Sequence, residues 1–231
     1  MLVRGSAGRS ILFFVTVLLL LSAVPVFSRD GSILQVEQLL ERGSFTERER
    51  RSLQRVFDSA RNEEIPLALL VPRLQEGIAK RVDAARIEGA IRSDVSALVT
   101  ARTVAWSVPG GEHLLADEAR WSRAATYLAA GRSPEELRSL LAITAARPER
   151  FRAAATLDIS LADWGLGDRD VQRVVEAAVA SRLEPRSYRG IAELFVLARR
   201  ERVRPERMVD RVVAGLERAG SIGELRALVI E

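Results

Sequence analysis

Apolar residues return every three or four positions through most of the chain, the spacing of one buried face on an α-helix. Leu53, Val56, Phe57 and Ala60 form one such stripe, and Met208, Val209, Val212 and Leu216 form another. Runs that alternate β-branched and polar residues are almost absent, so strands are not expected. Helix punctuation is frequent. Ser32 can cap a segment to Leu40 that Gly43 stops, and Thr46 with Glu49 makes a capping box for a helix to about Arg61. Pro66 suits the first turn of the next helix, which Pro72 is expected to kink or delay. Asp83 opens a longer helix to about Ala105, and a helix from about Asp117 to Ala130 stops at Gly131. Ser133, Pro134 and Glu136 mark the strongest start in the chain. The last third reads as helices at roughly 169–181, 185–201, 205–219 and 222–230, with Ser221 and Glu224 as a further box. The pattern predicts an all-α fold of about nine to ten helices in tandem hairpins, an irregular solenoid-like or compact array.

Two stretches align without a gap, 45–80 on 183–218, at a constant offset of 138. Phe45 meets Leu183, Leu53 meets Ile191, Val56 meets Leu194, and Phe57 meets Phe195. The match continues through Ile65 with Val203, Leu70 with Met208, Leu74 with Val212 and Gly77 with Gly215. Shared apolar phase through two helices and a turn points to an internal repeat of helical hairpins. Landmark residues Leu183, Val203 and Ile222 put a helix pair at about 40 residues, of which 138 is not a whole multiple. An irregular centre is therefore expected between the two related hairpins.

The main break is Val108-Pro109-Gly110-Gly111, which sets helical regions at 29–106 and 116–231 around a loop at 107–115, either as two units or within one continuous domain. A second loop is expected at 163–170. Residues 1–28 differ from everything after them. Arg4 and Arg9 precede an apolar run from Ile11 to Leu21, followed by Ser22, Ala23 and Pro25. That is the order of a secretory signal peptide, with Val26 and Ser28 at −3 and −1 and cleavage expected after Ser28. The alternative is an uncleaved inner-membrane anchor through 11–27, since a span needs about 20 residues. Either way the bulk of the chain is expected outside the cytoplasm, periplasmic or secreted.

Composition narrows the chemistry. There is no cysteine, so disulfides and thiolate sites are excluded. The pI of about 10.4 accompanies a net charge of only +4, because nearly all the base is arginine and Lys80 is the sole lysine. Acids are mixed with arginines along the same helices, as in Glu47–Arg51, which reads as solvated faces rather than a nucleic-acid patch.

His113 is the only histidine, so His-pair metal sites cannot form. It lies beside the glycine loop with no Gly-x-Ser-x-Gly elbow to make it part of a triad. The acidic loop residues Asp158, Asp163, Asp168 and Asp170 lack the ligand alternation of a calcium loop, and Asp168 reads as a helix N-cap. Glycan hydrolysis needs two placed carboxylates, and no acid falls in a recognisably apolar, pKa-raising setting. Trp106, Trp121 and Trp164 flank the two loops, where they either line a groove or anchor the core.

At Glu76-Gly77-Ile78-Ala79-Lys80, followed by Val82 and Ile87, the chain resembles uncharacterised exported bacterial helical proteins that carry variants of Glu-Gly-x-Ala-Lys before a helix. The resemblance implies export and a helical fold and brings no activity or site residues. The expectation is an exported, non-catalytic helical-repeat protein serving as an interaction or scaffold module of the bacterial envelope. No catalytic, cofactor-binding or metal-binding residue is expected, and no cofactor. The expected partner is an envelope protein, with no nucleic acid and with membrane contact only through an uncleaved N-terminus. The alternatives are a glycosidase-like cell-wall hydrolase and a membrane-tethered envelope protein.

Overall fold

The computed structural model describes residues 29–201 and 203–230, and all regular structure among them is helical. The predicted signal segment, with its cleavage site after Ser28, lies outside the described residues. Twelve α-helices follow one another: α1 Arg29–Arg42, α2 Glu47–Asn62, α3 Val71–Ala79, α4 Ala84–Trp106, α5 Glu112–Leu115 and α6 Glu118–Ala129. The second half continues with α7 Pro134–Thr144, α8 Phe151–Asp163, α9 Asp168–Ala180, α10 Tyr188–Arg200, α11 Pro205–Leu216 and α12 Ile222–Ile230. Short 3-10 turns at Leu67–Leu69, Pro148–Arg150 and Pro185–Ser187 lead into α3, α8 and α10.

The helices pack in two layers. One layer runs α2, α4, α6, α8, α10, α12, each against the next; the other pairs α1 with α3 and runs α7, α9, α11. Successive helices of the first layer begin at residues 47, 84, 118, 151, 188 and 222. Hairpins are thus 33 to 37 residues long rather than about 40, and the offset of 138 spans four of them. The expected irregular centre reduces to one departure, α5, a single helical turn inside the predicted 107–115 loop that packs on α4 and α6.

Hairpins are short because the turns are. In three of them the residue after a left-handed position closes back on the helix, as Ile65 N–H on Ala60 O (2.9 Å), Val82 N–H on Gly77 O (2.9 Å) and Leu166 N–H on Leu161 O (3.2 Å). This is the Schellman closure, with an apolar residue tucked under the helix end and the next cap following at once. Glycine supplies the left-handed residue at Gly165, whereas Glu64 (φ 55°) and Arg81 (φ 53°) adopt it against their Cβ.

The capping boxes at Thr46 and Ser133 form as expected. Of the kink or delay expected at Pro72, the delay is what occurs: only a 3-10 turn follows Pro66, and α3 starts at Val71, which leaves Pro72 in the first turn, where a missing N–H costs nothing. Asp168 is the first residue of α9 rather than its cap, which is Gly167.

Several positions 138 apart have matching environments, although Phe45 and Leu183, Ile65 and Val203, and Ile78 and Leu216 differ in burial. Leu53 and Ile191, Val56 and Leu194, Phe57 and Phe195, Leu74 and Val212 are all buried. Gly77 lies so close to Ile87 that an added Cβ would sit 2.6 Å from Cγ1, and at Gly215 it would sit 2.7 Å from Leu225 Cδ1. The closing bond from Ile65 N–H to Ala60 O recurs from Val203 N–H to Ala198 O at 3.0 Å. A single apolar core runs from Val36 to Val229 and is not interrupted at 107–115, because α4 packs on α6 and α7.

Candidate functional site

The most unusual position in the core is Asp158. It lies in the middle of α8, in phase with the buried stripe Phe151, Ala154, Ala155 and Leu161, and is 6% exposed. Counted from the carbonyl that closes each turn, it stands where α2 places Phe57 and α10 places Phe195. Its counter-charge comes from the preceding hairpin. Gly131 (φ 87°) ends α6 and aims the next residue, Arg132, inward across α8. The Arg132 Nε lies 2.8 Å from Asp158 Oδ1 and its Nη1 donates to Asp168 Oδ1 at 3.1 Å. Nη2 pairs with Glu136, whose carboxylate also accepts the Ser133 N–H at 2.6 Å in the capping box. The guanidinium carbon stands 6.0 Å over the ring of Tyr127.

One guanidinium is therefore shared by three carboxylates. Burial pushes the Asp158 carboxyl above the usual carboxylate range, the Arg132 charge opposes this, and Glu136 adds to it. Burial also raises the Tyr127 phenol, with the Asp158 charge acting in the same direction. Burial pulls Arg132 down, but Tyr127 and Asp158 outweigh it and the group is held up. This corrects the expectation that no acid has a pKa-raising setting. A cavity of about 120 Å³ borders the cluster, lined by Arg132, Glu135, Glu136, Asp158, Asp168 and Gln172. It is small beside ligand pockets of about 300–1,000 Å³. The geometry ties the turn after α6 to the body of α8 and the start of α9. Among the described residues no group of three or more acids or histidines is placed to hold a metal ion.

A second arginine arrangement closes the C-terminal end of α9. Arg147 Nη1 donates to Val179 O at 2.7 Å and Ala180 O at 3.2 Å. Arg150 Nη1 donates to Val179 O at 2.9 Å, to Ser181 O at 3.1 Å and to the Tyr188 hydroxyl at 3.0 Å. The Tyr188 hydroxyl in turn donates to Ala178 O at 2.8 Å. Unpaired carbonyls at the negative end of a helix dipole thus receive two cations.

The residues weighed from the sequence do not converge. His113 is exposed on α5, beside a crevice of about 30 Å³ with Gly111 and Thr144. Trp121 is buried and its indole N–H donates to Leu98 O at 2.9 Å, while Trp164 packs edge-on against Phe195. Both are core anchors. Trp106 is 65% exposed, with Arg102 stacked 5.4 Å from its ring centre. The four acids once grouped as a loop are dispersed: Asp158 and Asp163 belong to α8, Asp168 and Asp170 to the first turn of α9. Sequence reading missed Arg132 and Tyr127; the available signal was the phase of Asp158 within an apolar stripe.

One concavity of about 300 Å³ lies where α3 meets α4 and α6, and two others lie between neighbouring helices of the first layer. A groove of about 330 Å³ separates α2 from α4, with Val56, Ser59, Val95, Ser96, Val99 and Thr100 along it. A groove of about 670 Å³ runs along α8 from Arg152 to Ser160 and faces the first turns of α10 at Tyr188, Arg189 and Ala192. No known protein family, curated protein or solved structure matches the chain.

Proposed function

We propose that this protein is an exported, non-catalytic interaction module of the bacterial envelope, built from repeated helical hairpins of which 45–80 and 183–218 are two copies. The observation that carries this reading is the pair of open grooves between successive helices of one layer. A layered helical array offers an extended surface, and partners dock on it without any reaction taking place. The walls of these grooves are polar but quiet: Thr100, Thr156 and Ser160 donate to carbonyls of their own helices, at 2.9, 2.9 and 2.8 Å. Matching burial and turn closure at positions 138 apart support the repeat.

Export rests on the charged, apolar, then small-residue order of 1–28. No helix among the described residues is long and apolar enough to cross a membrane, so an anchor would have to come from 11–27. The test is twofold. Intact mass of the protein recovered from envelope fractions is expected to show cleavage after Ser28; a retained N-terminus would replace the secreted form by the anchored one. Crosslinking in intact cells is expected to trap a partner protein on the array, and recovery of none would sink the interaction reading.

A further inference from the structure

We infer that copies of this chain join head to tail, the α11–α12 end of one taking α1 of the next and so extending both layers. The order of the helices points to it. From α6 to α12 the two layers alternate one helix at a time, and the chain closes on α12, a first-layer helix. It opens on α1, a helix of the other layer, so a second copy set against α12 continues the alternation with no helix doubled or missing. The ends of a helical array are ordinarily sealed by polar faces. Here the strongly exposed large apolar side chains are Leu34, Trp106, Val196 and Leu228, and two of them stand on the end helices: Leu34, 57% exposed, on α1 and Leu228, 42% exposed, on α12.

Charge on α11 is sorted by face. Glu206, Asp210 and Glu217 recur at helical spacing on the stripe toward α9, where Asp210 accepts from Arg173 at 2.8 Å. Arg207, Arg211, Ala214 and Arg218 recur on the neighbouring stripe, one residue on and turned further from α9, and all four are exposed. Arg211 Nη1 donates to Val229 O at 3.1 Å, so the arginine stripe borders α12. Leu228 lies at the same seam: a Cβ added to Gly215 would stand 3.8 Å from Leu228 Cβ. Glu224 is turned to the Gly220 N–H at 2.8 Å. The corner between α11 and α12, where the next helix of the second layer belongs, is thus Leu228 and Ala214 bordered by arginines. On α1, Leu34, Glu37, Gln38 and Glu41 share one exposed stripe at i, i+3, i+4 and i+7, with Arg42 turned aside. Set in the corner, that stripe brings Leu34 onto Leu228 and Ala214 and two carboxylates among guanidiniums that take them in bidentate fashion. A contact between unlike faces grows into a line of copies or closes as a ring, not as a two-fold dimer.

The experiment uses the chain in the form recovered from cells, followed by sedimentation velocity from micromolar to submillimolar concentration. Wild type is expected to grow in mass with concentration, and to grow less at high salt, which screens exposed pairs. Two variants each reverse one end: E37R/E41R makes both ends basic, and R207E/R218E makes both acidic. Alone, each is expected to associate roughly tenfold more weakly or worse, since like charges then meet at every junction. Mixed in equal amounts, the two present opposite charges at every junction, and assembly is expected to return. The replaced side chains are all exposed, so each variant should melt within a few degrees of wild type. Restored assembly in the mixture shows in addition that both are folded. Wild type that stays monomeric overturns the inference, as does a mixture no larger than its components. So does a single variant that assembles as wild type does, because like ends would then be meeting. If wild type stays monomeric while crosslinking in cells still traps another protein, this contact fails and the interaction reading stands. If copies assemble and no other protein is trapped, the contact stands and the interaction reading fails.

Discussion

Replacing Arg132 by Met keeps an apolar stem and removes the guanidinium shared by Glu136, Asp158 and Asp168. The Asp168 side chain is 78% exposed and regains water, whereas that of Asp158 is 9% exposed and cannot. Stranding one partner of a buried pair costs about 3–5 kcal/mol. Set against a typical stability of about 5–15 kcal/mol, this is a large fraction. At roughly 2–4 °C per kcal/mol for a chain of this size, the melting temperature should fall by roughly 6–20 °C. The pH dependence has a definite sign. Burial already holds Asp158 above its usual range, and without the opposing Arg132 charge it rises further. The folded state then binds a proton that the unfolded chain, with its aspartates near about 3.9, gives up. Stability is lost as pH rises through that window, so the deficit of Arg132→Met is greatest at neutral pH and narrows toward about pH 4. Urea titrations followed by far-UV circular dichroism at about pH 7 and about pH 4 measure both quantities. Asp158→Asn is the contrast: it removes the charge that burial disfavours and leaves Arg132 with Glu136 and Asp168. It should stay within about 1 kcal/mol of wild type at neutral pH, with a flatter pH profile. A deficit for Arg132→Met below about 1 kcal/mol, or one equal at both pH values, would refute the reasoning.

Other substitutions probe the remaining contacts. Arg150→Met removes donors to Val179 O, Ser181 O and the Tyr188 hydroxyl, and should lower stability by about 1–2 kcal/mol in a thermal melt, with Arg147 still in place. Arg81→Gly relieves a left-handed residue, worth about 1–2 kcal/mol, against a smaller entropic cost, so a gain of about 0.5–1 kcal/mol is expected in urea. Gly77→Ala and Gly215→Ala each press a Cβ into the side chain ten residues on, Ile87 or Leu225; each should destabilise by about 1–3 kcal/mol, less any helix-propensity gain. Similar losses at both sites are expected if the two hairpins pack alike.

The helices were legible because their signals are local. Periodicity marks the buried stripe, and Thr46 and Ser133 mark starts through bonds made within three residues. The turns were less legible. Glu64 and Arg81 take left-handed conformations without the glycine that would announce them. The hairpins looked longer than they are because Leu183 stands ahead of the Pro185–Ser187 turn and of α10, whereas Ile222 is itself the first residue of α12. Asp158 was read as a loop acid because Trp164-Gly165-Leu166-Gly167 draws attention to the turn, although the phase of Asp158 belonged to the core. Its partner Arg132 lies in the preceding hairpin, and the carbonyls taken by Arg147 and Arg150 lie 28 to 34 residues away. A backbone carbonyl has no side-chain identity, so no spacing of residue types points to it.

The arginine contacts add to an apolar packing that runs the length of the array. Large rings fill the first layer from end to centre: Phe57 in α2, Trp121 and Tyr127 in α6, Phe151 in α8 and Phe195 in α10 are all buried. In α6 and α8 these rings stand beside small residues, Ala124, Ala125, Ala154 and Ala155, which let the helices approach closely. Apolar area of this kind sets the driving force but not the register. The central hairpins carry directional contacts as well, Arg132 onto α8 and α9 and Arg147 with Arg150 onto the end of α9. Apolar faces of similar hairpins accept one another in several registers, whereas a guanidinium matches a particular set of oxygens. The polar contacts at the centre therefore define which hairpin follows which, and the buried rings and aliphatic side chains along the whole layer supply the adhesion.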